Sequence, residues 1–160
     1  MQMEKYERWF LYATVAVLVA FFVAMLASIG EAGIHLPTQV ASVDPAEVST
    51  TPPFDNPGLF QTGDDTFDAV LVAQTWQFTP EELRVPAGAE VTFIVTSRDV
   101  IHGLLVPDTT INAMILPGQV TEVTYTFNDP GEFKFICHEY CGLANDQIGH
   151  HSMFGKVVVE

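Results

Sequence analysis

The hydrophobic and polar positions divide the chain into three textures. From Trp9 to Gly30 there are 22 consecutive uncharged residues. Coiled as a helix at about 1.5 Å per residue, such a run spans roughly 33 Å, enough to cross the hydrocarbon core of a bilayer. It predicts a transmembrane helix over 9–30, preceded by a short polar cap over 1–8. A cleaved signal peptide is the alternative, but its apolar stretch ordinarily covers only about 7–15 residues, so a retained anchor is favoured. Residues 31–68 carry Pro37, Pro45, Pro52, Pro53 and Pro57 among scattered Ser, Thr, Asp and Gly, without helical periodicity. They read as an extended linker, part of which can pack on a partner. From Ala69 onward the pattern changes to short runs rich in β-branched and aromatic residues. These are 69–75, 83–85, 91–96, 103–106, 120–127, 132–136 and 156–160, punctuated by Pro86-Ala87-Gly88, Pro117-Gly118 and Asp129-Pro130-Gly131. Short strands at this spacing predict a mainly β domain over 69–160, a Greek-key β-sandwich or barrel.

Charge adds orientation and excludes some partners. Lys5 and Arg8 precede the apolar run, which places the N-terminus in the cytoplasm and the rest of the chain outside. Residues 31–160 hold 18 of the 20 acidic side chains but only Arg84, Arg98, Lys134 and Lys156 as bases. A net charge of −14 makes nucleic acid and bare anionic lipid poor partners. A partner with a basic patch would be steered in. A plain solvated coat and adaptation to high salt are equally compatible with this composition.

The candidate chemistry is concentrated in Cys137-His138-Glu139-Tyr140-Cys141-Gly142 and His150-His151-Ser152-Met153, with His102 upstream in Asp99-Val100-Ile101-His102-Gly103. Thiolate and thioether are soft ligands, and together with imidazole they select copper over magnesium or calcium. A mononuclear blue-copper site needs one Cys, two His and an axial Met. Here a second Cys follows the first by four residues, and two thiolates on one loop can bridge two metal ions. His102 and one downstream histidine supply an imidazole to each ion. Met153 and the backbone carbonyl of Glu139 can complete the set. Taken singly, these residues have plainer readings. Two exported cysteines suggest a disulfide, His102 a core histidine and Met153 core filling. Their joint spacing favours the metal. His138 reads as a residue whose side chain turns away from Cys137, and His35 as interfacial.

The pattern C-x-E-x-C-G … H-x-x-M with an upstream D-V-I-H resembles the binuclear copper (CuA) site of haem-copper oxidase subunit II, over about Ala69 to the C-terminus. The resemblance implies a cupredoxin-like fold and a ligand set of His102, Cys137, Glu139 through its carbonyl, Cys141, His150 and Met153. His102 and Met153 would serve one copper, and His150 and the Glu139 carbonyl the other. It further implies the single-anchor B-type branch, a haem-bearing subunit I as partner, and a soluble cytochrome c or small copper protein as electron donor. Oxygen reduction and proton pumping would occur in subunit I, at the cell membrane of a prokaryote, making the chain part of a cytochrome-c oxidase without an oxygen site of its own. Trp76, in Trp76-Gln77-Phe78, matches aromatics proposed to pass electrons to the copper, although sandwich core is the alternative. The Glu139 carboxylate is free for a magnesium ion at the subunit I contact. Glu7 can feed protons or simply be a solvated helix-end charge. One departure stands out. The family usually has two residues between the glycine and the histidine, whereas seven, Leu143–Gly149, intervene here. H-x-x-M spacing selects His150, with His151 as its neighbour and alternative.

The rivals are the copper domain of a nitrous-oxide-reducing enzyme, which needs a large second domain, a membrane-tethered copper carrier, and a quinol-oxidase subunit without copper. A carrier favours an open site with few ligands, and a copper-free subunit has no use for the Cys and His set. No C-x-x-C-H occurs, so no c-type haem is expected on this chain.

Overall fold

The uncharged run folds as one helix, Lys5–Glu31 (α1), in the computed structural model, which describes residues 4–31 and 41–160. Residues 1–3 of the polar cap and 32–40 of the linker, with His35 and Pro37, lie outside the described residues. The described chain falls into two units, this helix and a β domain. The helix is apolar on all its sides, the pattern of a membrane span rather than of a helix lying on a core, and it is long enough to cross. Within the uncharged run the Thr14 and Ser28 hydroxyls donate back to main-chain carbonyls, Thr14 Oγ1 to Phe10 O at 2.9 Å and Ser28 Oγ to Met25 O at 2.8 Å. That satisfies them without water, as a hydrocarbon surrounding requires.

The β domain contains Gly58–Gln61 (β1), Thr66–Gln74 (β2), Gln77–Thr79 (β3), Glu82–Val85 (β4), Ala89–Ser97 (β5), His102–Leu105 (β6), Asn112–Ile115 (β7), Thr121–Phe127 (β8), Gly131–Ile136 (β9) and Phe154–Val159 (β10). One sheet runs β1-β2-β5-β8, with β3 also on β2; the other runs β4-β10-β9-β6-β7. The pairs β2–β5 and β4–β10 are parallel and the rest antiparallel. Alternate residues of β5, namely Ala89, Val91, Phe93 and Val95, turn inward and meet Leu83, Leu104, Phe135 and Val157 of the second sheet. Edge-to-face stacking of Phe78 on Phe135, with ring centres 5.4 Å apart, joins the layers. This is the expected mainly β sandwich. The strands β1, β3 and β7 are additional to those read from the sequence.

The segment read as an extended linker does more than connect. Val43, Val48 and Phe54 are buried and cover Val70 and Val72 on the outer face of β2. The inner face of the same strand carries Ala69, Leu71 and Ala73 into the main core. Burial on both faces explains why β2 is an unbroken apolar run instead of alternating. At the opposite sheet, β10 passes so close to its neighbours that a Cβ on Gly155 would collide with the Phe135 ring and lie 2.5 Å from the Glu81 carbonyl oxygen.

Candidate metal centre

Strand direction gathers the candidate ligands. Strands β6 and β10 both run antiparallel to β9. The start of β6 (His102), the residue after β9 (Cys137) and the residue before β10 (Met153) therefore meet at one end of the second sheet. The Cys137 amide donates to the Met153 carbonyl at 3.1 Å and fastens two of these ends together. His102, Cys137, Cys141 and Met153 are buried, with at most 5% of each exposed. The donor atoms of His102, Cys137 and Cys141 all lie within 4.8 Å of one another.

The two sulfurs are 3.8 Å apart and both cysteines are free. A disulfide needs about 2.05 Å, so the structural bridge that two cysteines could make is not formed. His102 Nδ1 lies 3.8 Å from Cys137 Sγ, and His150 Nδ1 lies 3.8 Å from Cys141 Sγ. Met153 Sδ is 3.7 Å from Cys141 Sγ, and the Glu139 carbonyl oxygen is 3.1 Å from Cys137 Sγ. Each sulfur thus has one imidazole and one weak donor beside it. His151 is exposed, whereas His150 is half-buried with the Tyr140 ring 5.8 Å away. All six candidate donor groups are brought together, and His150 rather than His151 faces the thiols.

Electrostatics suit a cation. Burial resists ionisation of Cys137, but hydrogen bonds from His102 and nearby amides outweigh it and hold this thiol below its ordinary pKa. Burial and the neighbouring Cys137 charge push Cys141 up. The first thiolate is favoured and the second is opposed by its neighbour, so a bound cation is needed to ionise both. At His102 burial disfavours the charged ring, yet Cys137 and Asp99 together raise its pKa. The donor set and its spacing fit copper.

Supporting residues complete the site. The Trp76 indole N–H, in the turn between β2 and β3, donates to the Gly142 carbonyl at 3.0 Å, and the His150 amide donates to the same oxygen at 2.9 Å. Gly142 holds φ at +96°, a left-handed conformation that favours glycine. Trp76 is half-buried, within one hydrogen bond of the residue after Cys141. The His138 ring lies over Gly103, where any Cβ would collide with it, and its Nδ1 is buried without a partner among the described residues. The seven intervening residues, Leu143–Gly149, close on themselves. Leu143 bridges Gly149, Ala144 N donates to Ile148 O at 2.9 Å, and Asn145 Oδ1 accepts from the Gln147 and Ile148 amides at 2.8 and 2.9 Å. They form a small hairpin whose ends meet. Sequence reasoning assigned no role to Asp99, although it stands three residues before His102. Its Oδ1 lies 2.8 Å from His102 Nε2.

Known proteins share these features. The family model "Cytochrome C oxidase subunit II, periplasmic domain" matches residues 68–158. One cytochrome c oxidase subunit 2 from Thermus thermophilus is 38% identical over 97% of this chain and 92% of its own length. A second Thermus thermophilus cytochrome c oxidase subunit 2 is 41% identical over 81% of this chain and 93% of its own. A chain in a cryo-EM structure of a heme-copper terminal oxidase dimer superposes with a TM-score of 0.70 at 31% identity, covering 98% of this chain and all (100%) of that one. By the match over residues 68–158 and its identity to these relatives, this chain, with its mainly β sandwich, apolar N-terminal helix and soft-ligand cluster, belongs to the cytochrome c oxidase subunit II family.

Proposed function

We propose that this chain is the electron-accepting subunit of a terminal respiratory oxidase and holds a binuclear CuA centre between Cys137 and Cys141. The carrying observation is the pair of free sulfurs 3.8 Å apart, each flanked by its own imidazole. When bound, two coppers supply a one-electron relay with little rearrangement, because the charge change is shared. Cys137 and Cys141 would hold both ions through their sulfurs. His102 and Met153 would complete one ion, and His150 and the Glu139 carbonyl the other. The buried donors hold their positions through the β6, β9 and β10 strand ends and keep water from the thiolates.

Trp76 is the proposed point where electrons enter, supported by its hydrogen bond to the Gly142 carbonyl. A soluble cytochrome c or small copper protein with a basic face would dock on the acidic domain. The haem-bearing subunit I would then reduce oxygen to water and pump protons. The Glu139 carboxylate is proposed to hold magnesium at that subunit contact. The long apolar helix, with Lys5 and Arg8 before it, supports a single-pass anchor in a prokaryotic cell membrane. It also supports the B-type branch, with the N-terminus cytoplasmic and residues 69–160 outside.

The copper-loaded full chain, in detergent, is mixed with reduced cytochrome c in a stopped-flow instrument. Fast oxidation of the cytochrome that slows steeply with added salt is expected, since exposed charges are screened. Copper that stays oxidised, or a rate indifferent to both salt and Trp76→Phe, contradicts the proposed docking and route.

A further inference from the structure

His102 is completely buried (0% exposed), so its second ring nitrogen needs a partner inside the protein. That partner is Asp99. Its Oδ1 sits 2.8 Å from His102 Nε2 and also accepts the Val100 amide at 2.7 Å. The other oxygen, Oδ2, accepts the Thr75 amide at 2.7 Å, across 24 residues of sequence. The Ser97 hydroxyl accepts the Asp99 amide at 3.2 Å and donates to the Val100 carbonyl at 2.6 Å, which fixes the turn that carries the carboxylate.

Both carboxylate oxygens are therefore engaged by N–H donors, one of them the imidazole. With Nε2–H donating to Asp99, the lone pair resides on Nδ1, the nitrogen that faces Cys137. An ionised carboxylate also makes the imidazole a stronger donor. Thr75 immediately precedes Trp76, so the same carboxylate ties the Trp76 turn to the histidine.

We propose that Asp99 is a positioning residue that fixes the tautomer and orientation of His102 toward the metal centre and tunes that centre through it. The inference rests on the copper reading above. An asparagine has only one acceptor oxygen. In Asp99→Asn, its NH2 must face either the His102 ring N–H or the Thr75 amide, so one of the two bonds is lost.

The test uses the full chain in detergent, as wild type, Asp99→Asn and the exposed control Asp129→Asn, each titrated with copper. Copper affinity, the EPR spectrum and the reduction potential are measured, with thermal unfolding of the metal-free proteins alongside. In Asp99→Asn, affinity is expected to fall about 10–100-fold. The unpaired electron becomes unequally shared, and the potential moves positive, because a weaker imidazole donor stabilises the oxidised centre less. Asp129→Asn is expected to match wild type. A lower unfolding temperature with unchanged spectrum and potential would make Asp99 merely structural and overturn the proposal. If Asp99→Asn does not fold, proton NMR of the copper-loaded wild type in D2O decides instead. The His102 ring proton should persist while that of His150 exchanges, and equal loss of both overturns the proposal. A wild type that holds no copper pair overturns the parent reading and this one together, whereas a normal wild type with a silent Asp99→Asn overturns this one alone.

Discussion

Excising Ala144–Ile148, so that Leu143 joins Gly149 directly, is expected to leave both coppers in place. The two flanking residues are already antiparallel bridge partners. Such partners lie about 4.5–5.5 Å apart between Cα atoms, against about 3.8 Å for chain neighbours. Closing the gap moves the backbone by only about 1–2 Å. The His150 amide already donates to the Gly142 carbonyl at 2.9 Å. After excision that bond spans Gly142-Leu143-Gly149-His150, the first-to-fourth hydrogen bond of a β-turn, with glycine at the third position as a type II turn requires. Shortening the connection from seven residues to two recovers about 1 kcal/mol of loop-closure entropy. The bonds lost are internal to an exposed hairpin, so net stability should stay within about 1 kcal/mol of the parent, or roughly 5 °C in melting temperature. Copper content, EPR and thermal unfolding of the two full chains provide the assay. Loss of one copper, or a drop of more than about 10 °C, would show that the hairpin itself holds His150 in place.

Three further outcomes follow from the geometry. His150→Ala should abolish equal sharing of the electron, while His151→Ala, whose side chain is exposed, should leave the EPR spectrum unchanged. Gly155→Ala should force β10 away from Phe135 and the Glu81 carbonyl, destabilising the domain by about 1–3 kcal/mol in urea unfolding. Copper uptake should weaken as pH falls. Cys137 loses its charge below a pKa of about 6, and Cys141, pushed up to about 12, must release a proton to bind at any pH. Binding isotherms across roughly pH 5–8 should therefore show affinity rising with pH, and a flat profile would refute this ionisation scheme.

The metal cluster was legible because soft side chains are rare and their spacing is local. Cys137 and Cys141 share one loop, and His150 and Met153 share another. His102 was reachable only through its flanking residues, since nothing in the sequence states that β6 and β9 lie side by side. The long helix and most strands followed from uninterrupted or alternating apolar runs. The strand β3 has only three residues, and β7, Asn112-Ala113-Met114-Ile115, lacks clear alternation; each is held by its neighbour rather than by its own pattern. The packing of Val43, Val48 and Phe54 was obscured by the prolines around them. The unbroken Ala69–Ala73 run was the available hint that something must cover the second face of β2. The role of Asp99 depended on a tertiary meeting with Thr75 that no periodicity encodes.

The most direct test of a binuclear centre is the metal content and EPR spectrum of the copper-loaded full chain. Two coppers per chain are expected, with one unpaired electron shared equally between them. One copper with a four-line spectrum, or protein isolated under reducing, copper-replete conditions with Cys137 and Cys141 joined as a disulfide, would contradict it.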